Sequence, residues 1–408
     1  MEDFGPGRKR SSGATQRAAL SSTRWLPIDN SMSKRDNSMS KRRILFLHFG
    51  QAFGGIEVYM DNLAALLQGE AEIVAWCSHP HLIERLAAQG VPVLRLAALR
   101  GPLRGLRFLH AALLLPFVLL RYRIDTVHIN GHWESMLLLP CRLLGRTAIS
   151  TRHQTWDIPL RHWWHAPKRT LSALVYNANT RFASKVICVS QAVADEMNHH
   201  VRAEKIVTIP NWIAAQPAFI ERPPVAGKAR ILFVGRLVVF KGLQLLIEAM
   251  RGLPNAALTV VGEGHLLEEF QRQAQGLDIH FAGFHRDVEP FYRAADVFVM
   301  PSIGLEGLPL VSLEAMGRGV PCLFSDLPVH RDITADGNAA RLFRTGDAED
   351  LRRQLQSLIE DEAARSSLAR AGHAIVQSRF IADVARSSYI DVFALYPASA
   401  GSLAVVQG

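Results

Sequence analysis

The chain has few cysteines and none of the arrangements that make cysteine structural. Cys77, Cys141, Cys188 and Cys322 are the only four in 408 residues, and no two form a CxxC pair. A disulfide-stapled scaffold and a thiolate zinc site are thereby excluded, and a reducing compartment is expected. There is no DxD, so the usual carboxylates for a metal-held diphosphate are missing. There is also no GxGxxG, which leaves a nicotinamide-binding reading without its phosphate turn. The apolar segment Phe108 to Leu120 is too short to span a bilayer. Acidic residues are absent from Arg85 to Ile124, an interval that holds seven arginines (85, 95, 100, 104, 107, 121 and 123).

What is present is globular. The chain is 49% apolar and 20% charged, which suits two domains with a sizeable core. The net charge of +9 suggests nucleic acid until its distribution is read: residues 1–43 hold ten Lys/Arg against four Asp/Glu, which is +6 and leaves +3 for the rest. No nucleic-acid partner is expected. The serine-rich tail at 1–42 repeats DNSMSKR in tandem at 29–35 and 36–42, lacks the apolar run of a signal peptide and is expected to be disordered. Met32 and Met39 are candidates for the true start.

Order begins at Arg43 with RILFLHF, an apolar run that reads as a buried strand. A glycine turn, GQAFGGIE (50–57), and helical spacing over 56–67 follow it. Strand signals at 71–76, 91–96, 124–129, 147–151 and 185–189 continue the alternation, which is the pattern of a parallel sheet covered on both faces. A proline-bearing interval (Pro210, Pro217, Pro223, Pro224) places the linker at 213–228. The pattern restarts with ARILFVG (229–235) and further strands at 257–262, 279–283, 296–300 and 320–324. Helical spacing separates them at 241–250, 265–275, 287–294 and 309–317. Two doubly wound Rossmann-like domains are expected, 43–212 and 229–374, facing a central cleft at the carboxyl ends of their strands. A last helical signal near 375–396 is placed to cross back to the first domain.

SIGLEGLPLVSLEAM (302–316) sets two glutamates eight residues apart in apolar surroundings. ADVFVMP (295–301) reads as a strand, and Pro309 suits the first turn of a helix. Glu306 then lies in a loop and Glu314 inside the helix. The amides from Gly307 and Leu308 to Leu310 are free donors at a helix N-terminus, which suits a phosphate. A bare carboxylate there would repel a diphosphate, whereas sugar or ribose hydroxyls would donate to it. Arg236 and Lys241, just past a strand end, are placed to stabilise a departing diphosphate without a metal. Gly54 and Gly55 allow backbone to approach a phosphate closely. For each residue alone, a surface cation, a helix-favouring glutamate or an ordinary turn is an equally good account. His128 and His132, in VHINGHWE (127–134), have near-helical spacing but no third ligand in pattern, so no metal site is assigned.

Taken together, GRLVVFKG (235–242), VVGEG (260–264), ADVFVMPS (295–302), EGLPLVSLEAMGRGVP (306–321), FGGIE (53–57), VSQAVADE (189–196) and IPNW (209–212) resemble the retaining GT-B glycosyltransferases of family 4. The likeness runs in order from about residue 43 to the C-terminal region, and its E-x7-E element is the most specific part. It implies that Glu314 holds the donor ribose and Glu306 contacts the donor sugar. It places Arg236, Lys241 and Gly55 at the diphosphate and sets a histidine of the first domain against the transferred sugar. By position in STRHQT (150–155), that histidine is His153, paired with Glu306 as the catalytic residues. His128 and His132 are candidates for the acceptor side. No cofactor is expected; a UDP- or GDP-sugar is the donor substrate. The acceptor is a glycan or lipid-linked group of lipopolysaccharide, capsule or exopolysaccharide, reached from the cytoplasmic face of a membrane.

The basic, apolar segment 100–123 fits either a peripheral membrane contact or a buried helix with exposed arginines. The aromatic and cationic cluster at 156–169 fits a lipid interface, an acceptor platform or domain packing. A nucleotide-sugar epimerase of the same fold and a non-catalytic scaffold for membranes or polyanions are the competing functions. Asn338 to Leu342 lacks the glycine common in similar proteins before the strand there.

Overall fold

The computed structural model describes residues 41–50, 54–96, 106–155, 167–214, 217–304 and 306–395. The tail up to residue 40, Arg100 and Arg104, and the cluster at 156–166 lie outside them. Two parallel α/β domains follow one another. In the first, β1 (Arg43–His48), β2 (Glu72–Cys77), β3 (Val93–Arg95), β4 (Thr126–Asn130), β5 (Thr147–Arg152), β6 (Lys185–Cys188) and β7 (Ile206–Thr208) form a sheet of order 3-2-1-4-5-6-7. In the second, β8 (Ala229–Val234), β9 (Ala256–Val261), β10 (Ile279–Gly283), β11 (Val297–Met300), β12 (Cys322–Ser325) and β13 (Arg341–Phe343) run in the order 10-9-8-11-12-13. The order reverses at β1/β4 and at β8/β11, so a crevice opens there at the carboxyl edge of each sheet.

The central strands are apolar along their length because both of their faces are covered. Ile44, Leu45, Phe46 and Leu47 of β1 have no exposed surface, and Phe46 pairs in register with Ala75 and His128. Around the first sheet lie α1 (Gly55–Leu66), α2 (Pro80–Ala88), α3 (Leu106–Arg121), α4 (Leu138–Leu143), α5 (Pro167–Thr180) and α6 (Gln191–Met197). Around the second lie α7 (Leu243–Met250), α8 (Leu267–Gln273), α9 (Glu289–Ala294), α10 (Leu310–Gly317), α11 (Pro328–Ile333), α12 (Ala348–Glu360) and α13 (Glu362–Arg379).

The single helical signal near 375–396 resolves into two helices. The α13 helix ends at Arg379, and α14 (Ala382–Phe393) begins after a break at which Ile213 bridges Ile381 and donates its N–H to the Phe380 carbonyl. The two passages between domains are therefore paired with each other. The α14 helix packs Ala385, Tyr389 and Phe393 into the core of the first domain, against Phe46 and Tyr59. The linker is docked on the second domain: Arg222 donates to the carbonyls of Tyr292, Ala295 and Gly319, among others.

Candidate active site

Strand ends of both domains supply the site. On the second domain, β8 ends at Val234 and the chain turns through Gly235 and Arg236 to a short 3-10 turn, Val239–Lys241. Gly242 follows at φ +71, and a Cβ there would lie 1.8 Å from the Pro301 carbonyl oxygen. Only glycine lets this turn lie against the β11–α10 loop. Lys241 Nζ thereby reaches Glu306 Oε1 at 2.7 Å, and the Ser302 hydroxyl donates to the same oxygen at 2.6 Å. Glu306 is 6% exposed. Burial alone would raise its pKa, but Lys241 and Ser302 outweigh that and hold the carboxyl below its ordinary value. The carboxylate is therefore paired, not bare.

Pro309 is the N-cap of α10 rather than a residue of its first turn, with extended backbone and its carbonyl accepting from Ser312 N–H. The missing proline N–H falls one position earlier than expected, and the amides that open the helix begin at Leu310. Glu314, half-buried in α10, accepts from the Tyr292 hydroxyl at 2.9 Å. Burial raises its pKa, against smaller opposing effects of Tyr292 and Arg318. Arg236 is exposed, with its guanidinium 5.5 Å from the centroid of the Phe240 ring. Gly55 opens α1 after the N-cap Gly54, and a Cβ on it would meet nothing within 4 Å.

The two domains touch at the centre of this arrangement. The Thr155 N–H and hydroxyl both donate to the Glu306 carbonyl, at 3.4 and 3.3 Å, and Asn211 Nδ2 donates to the Leu308 carbonyl at 2.8 Å. A Cβ at Gly307 would lie 2.0 Å from the His153 carbonyl oxygen, so the backbones of the two predicted catalytic segments are in direct contact. His153 follows β5 and is partly exposed. Its Nε2 is 3.0 Å from Asn130 Oδ1, and its ring packs edge-on to Tyr59 at 4.6 Å. Desolvation, aided by His128, His48, His132 and Arg152, keeps its pKa well below the ordinary histidine value.

Structure thus brings Lys241, Glu306, Gly307, Leu308 and His153 together. His128 is not among them. It has no exposed surface, is packed edge-on between Phe46 and Phe393, and is bonded to Thr151 Oγ1 at 2.7 Å; burial lowers its pKa to about 3. It cannot touch an acceptor directly. His132 stands edge-on to Tyr176 at 5.4 Å, and burial lowers its pKa to about 3 as well. Among the described residues, no cluster of His, Cys, Asp or Glu could hold a metal ion.

Several further residues lie beneath the site. His48, at the end of β1, bonds the Asn130 carbonyl through Nδ1 and Glu57 Oε1 through Nε2 at 2.8 Å. Glu57 in turn accepts from the Gly54 N–H at 2.8 Å, and Glu134 from the Phe49 N–H at 2.8 Å. Burial opposes the charge on His48, but Glu57 and Glu134 outweigh it and raise its pKa. The glycine turn of the first domain thus rests on a buried histidine with two carboxylates beside it. The one available signal was position, since His48 and Asn130 end adjacent strands.

Comparison with known proteins matches two family models to successive stretches of the chain. Residues 53–216 match the model of Glycosyltransferase Family 4, and residues 217–374 that of Glycosyl transferases group 1. A lipopolysaccharide core biosynthesis glycosyltransferase, LpsE of Rhizobium meliloti, is 28% identical over 222 residues, 52% of this chain and 64% of that protein. A phosphatidyl-myo-inositol mannosyltransferase of Mycobacterium leprae is 31% identical over 214 residues, 49% of this chain and 56% of that protein. The chain spans less than two thirds of the length of these relatives. Among solved structures, Anabaena HepE in complex with UDP and glucose superposes with a TM-score of 0.73 at 20% identity, over 87% of this chain and 100% of that one. WaaG, a glycosyltransferase involved in lipopolysaccharide biosynthesis, does so with a TM-score of 0.69 at 16% identity, over 86% and 99%.

Proposed function

The chain belongs to the glycosyltransferases of the GT-B fold, and on that premise we propose that it moves a sugar from a UDP- or GDP-sugar to a glycan or lipid-linked acceptor in the making of an envelope polysaccharide. Configuration at the anomeric carbon is retained, and no metal takes part. The observation that carries this reading is the meeting of the Lys241–Glu306 pair with the His153 segment at the N-terminus of α10.

The chemistry follows from charge. As the bond from the anomeric carbon to the diphosphate breaks, negative charge grows on the leaving group and positive charge on the sugar. Lys241, Arg236 and the first amides of α10 face the former charge, with Gly55 opposite. Glu306 Oε1 is committed to Lys241 and Ser302, so its other oxygen is the one offered to a donor hydroxyl. A carboxylate held this firmly by a cation is a poor nucleophile, which favours a binding role. Glu314 takes the ribose hydroxyls with the oxygen that Tyr292 leaves free. Retention requires the acceptor hydroxyl to attack from the face the diphosphate leaves, and the leaving phosphate can take its proton.

A membrane contact belongs to the same proposal. The α3 helix buries Ala111, Leu115, Val118 and Leu119, yet leaves Leu113 and Leu120 71% and 70% exposed, beside half-exposed Leu109 and Phe117. Arg121 and Arg123 are exposed at its end. One face of the helix is thus buried in the domain, and the exposed apolar face supports a membrane contact. No helix among the described residues is long and apolar enough to cross a membrane, and the contact proposed is a peripheral one. The transfer reading is tested by incubating the protein with UDP- and GDP-sugars, with and without EDTA, and following the nucleoside diphosphate released. Release that is insensitive to EDTA and stimulated by a lipid-linked or glycan acceptor is expected. Isomerised donor with no diphosphate released would mean an epimerase instead.

A further inference from the structure

Asn130 closes β4 with no exposed surface, and its side-chain amide lies between two imidazoles. Its Oδ1 is 3.0 Å from His153 Nε2, and its Nδ2 is 3.4 Å from His128 Nδ1. An amide has unlike ends, an acceptor and a donor, so it can serve two neutral histidines only if they present opposite nitrogens to it. The amide is turned with Nδ2 toward His128 and Oδ1 toward His153, which sets the direction, and a line of hydroxyls continues from His128. Tyr389 Oη donates to Tyr59 Oη at 3.0 Å, Tyr59 Oη lies 3.2 Å from Thr151 Oγ1, and Thr151 Oγ1 lies 2.7 Å from His128 Nε2. With the amide turned this way, His128 donates its Nε2–H to Thr151 Oγ1. His128 Nδ1 is then a lone pair facing the Asn130 NH2, and Asn130 Oδ1 is left to accept a proton from His153.

We infer that Asn130 is a positioning residue that fixes His153 as the Nε2–H tautomer, so that its Nδ1 lone pair is the atom offered to the cleft. Three further observations support this. The edge-on Tyr59 ring at 4.6 Å restricts rotation of the imidazole. The Asn130 carbonyl is held by His48 Nδ1, so the residue that sets the tautomer is anchored to the Gly54 turn through Glu57. Desolvation keeps His153 neutral, so its free nitrogen is an acceptor and not a second donor. Nδ1 can then accept a hydrogen bond from a sugar hydroxyl beside Gly307; this last consequence rests on the transfer reading, whereas the tautomer does not. The relay also reaches α14, which makes docking of the crossing helix part of the same hydrogen-bond chain.

The test is a long-range proton–nitrogen correlation spectrum of 15N-histidine-labelled full-length protein at pH 7.5, with the His153 signals identified by their loss in His153→Gln. A neutral ring protonated on Nε2 is expected. In Asn130→Ala, which keeps the backbone bond to His48, His153 should become a mixture of tautomers. Turnover should fall roughly ten- to a hundredfold with donor KM unchanged, by analogy with loss of the partner that orients a metal-bound histidine. Asn130→Asp should hold His153 doubly protonated at the same pH. A wild-type ring protonated on Nδ1, or a single unchanged tautomer in Asn130→Ala, would overturn the inference. If Asn130→Ala does not fold, the wild-type spectrum decides alone. Absence of any turnover in wild type would count against the transfer reading only, because the tautomer is read without substrate.

Discussion

Lys241 and Glu306 stand 65 positions apart in the chain and share one buried hydrogen bond, which makes each a liability without the other. Removing one partner of a buried pair leaves an uncompensated charge, at a cost of about 3–5 kcal/mol. Lys241→Met should therefore lower stability by about that amount, and adding Glu306→Gln should restore much of it, as read from urea unfolding. Additive losses would mean that the pair is not coupled. The pairing was not legible in the sequence. The E-x7-E spacing and the cations after β8 could be read separately, but their contact depends on Gly242 lying against the Pro301 carbonyl. His48, Asn130 and the pairing of His48 with Glu57 of FGGIE were missed for a related reason: they sit where β1, α1 and β4 converge, and no local spacing marks a convergence of elements. His128 was misplaced toward the acceptor because a polar residue at a strand end reads as functional, whereas here it is satisfied within the core by Thr151.

At the scale of elements, the strands were readable because parallel strands covered on both faces are nearly continuous apolar runs. β7, only three residues long, at the edge and half-buried throughout, carries too weak a signal to stand out. The crossing from α13 to α14 was read as one helix because its break, at Phe380 and Ile381, has neither glycine nor proline; pairing with Ile213 stops the helix there. The α3 helix gives a prediction of its own. Its outward Leu113 and Leu120, 71% and 70% exposed, bury little surface in the fold. Leu113→Asp with Leu120→Asp should leave the unfolding midpoint unchanged and reduce sedimentation with anionic phosphatidylglycerol vesicles at least tenfold, less so at high salt, where repulsion of the added carboxylates is screened. Undiminished vesicle binding would remove α3 from the membrane proposal.

For the molecule as a whole, the first domain stores several histidines in uncharged form beneath the cleft. His128 and His132 have pKa values lowered to about 3, and His153 is lowered as well. Below the ordinary value of 6.5 the unfolded chain binds protons that the folded one refuses, so stability must fall as pH falls from 6.5 toward those lowered values. Each group contributes up to about 1.4 kcal/mol per pH unit in that window. His48 acts in the opposite sense and in a higher window, because its raised pKa contributes stability that is complete below 6.5 and lost as pH rises through its folded value. Urea midpoints should therefore drop steeply from pH 6.5 to 5, and less steeply in His128→Asn. A flat profile over that range would contradict the assignment of these rings as neutral.

The domains meet through Thr155, Asn211 and Gly307, so a nucleotide held between them should stabilise the whole chain. The most direct measurement is the thermal stability of the protein titrated with UDP, GDP, ADP and CMP, beside the same titration of Glu314→Ala. A ligand at a hundred times its dissociation constant adds about 2.7 kcal/mol. The predicted result is a shift with UDP or GDP in the wild type that is lost in Glu314→Ala. No shift with any of the four, or an equal shift in the variant, would contradict the placing of a nucleotide-sugar at α10.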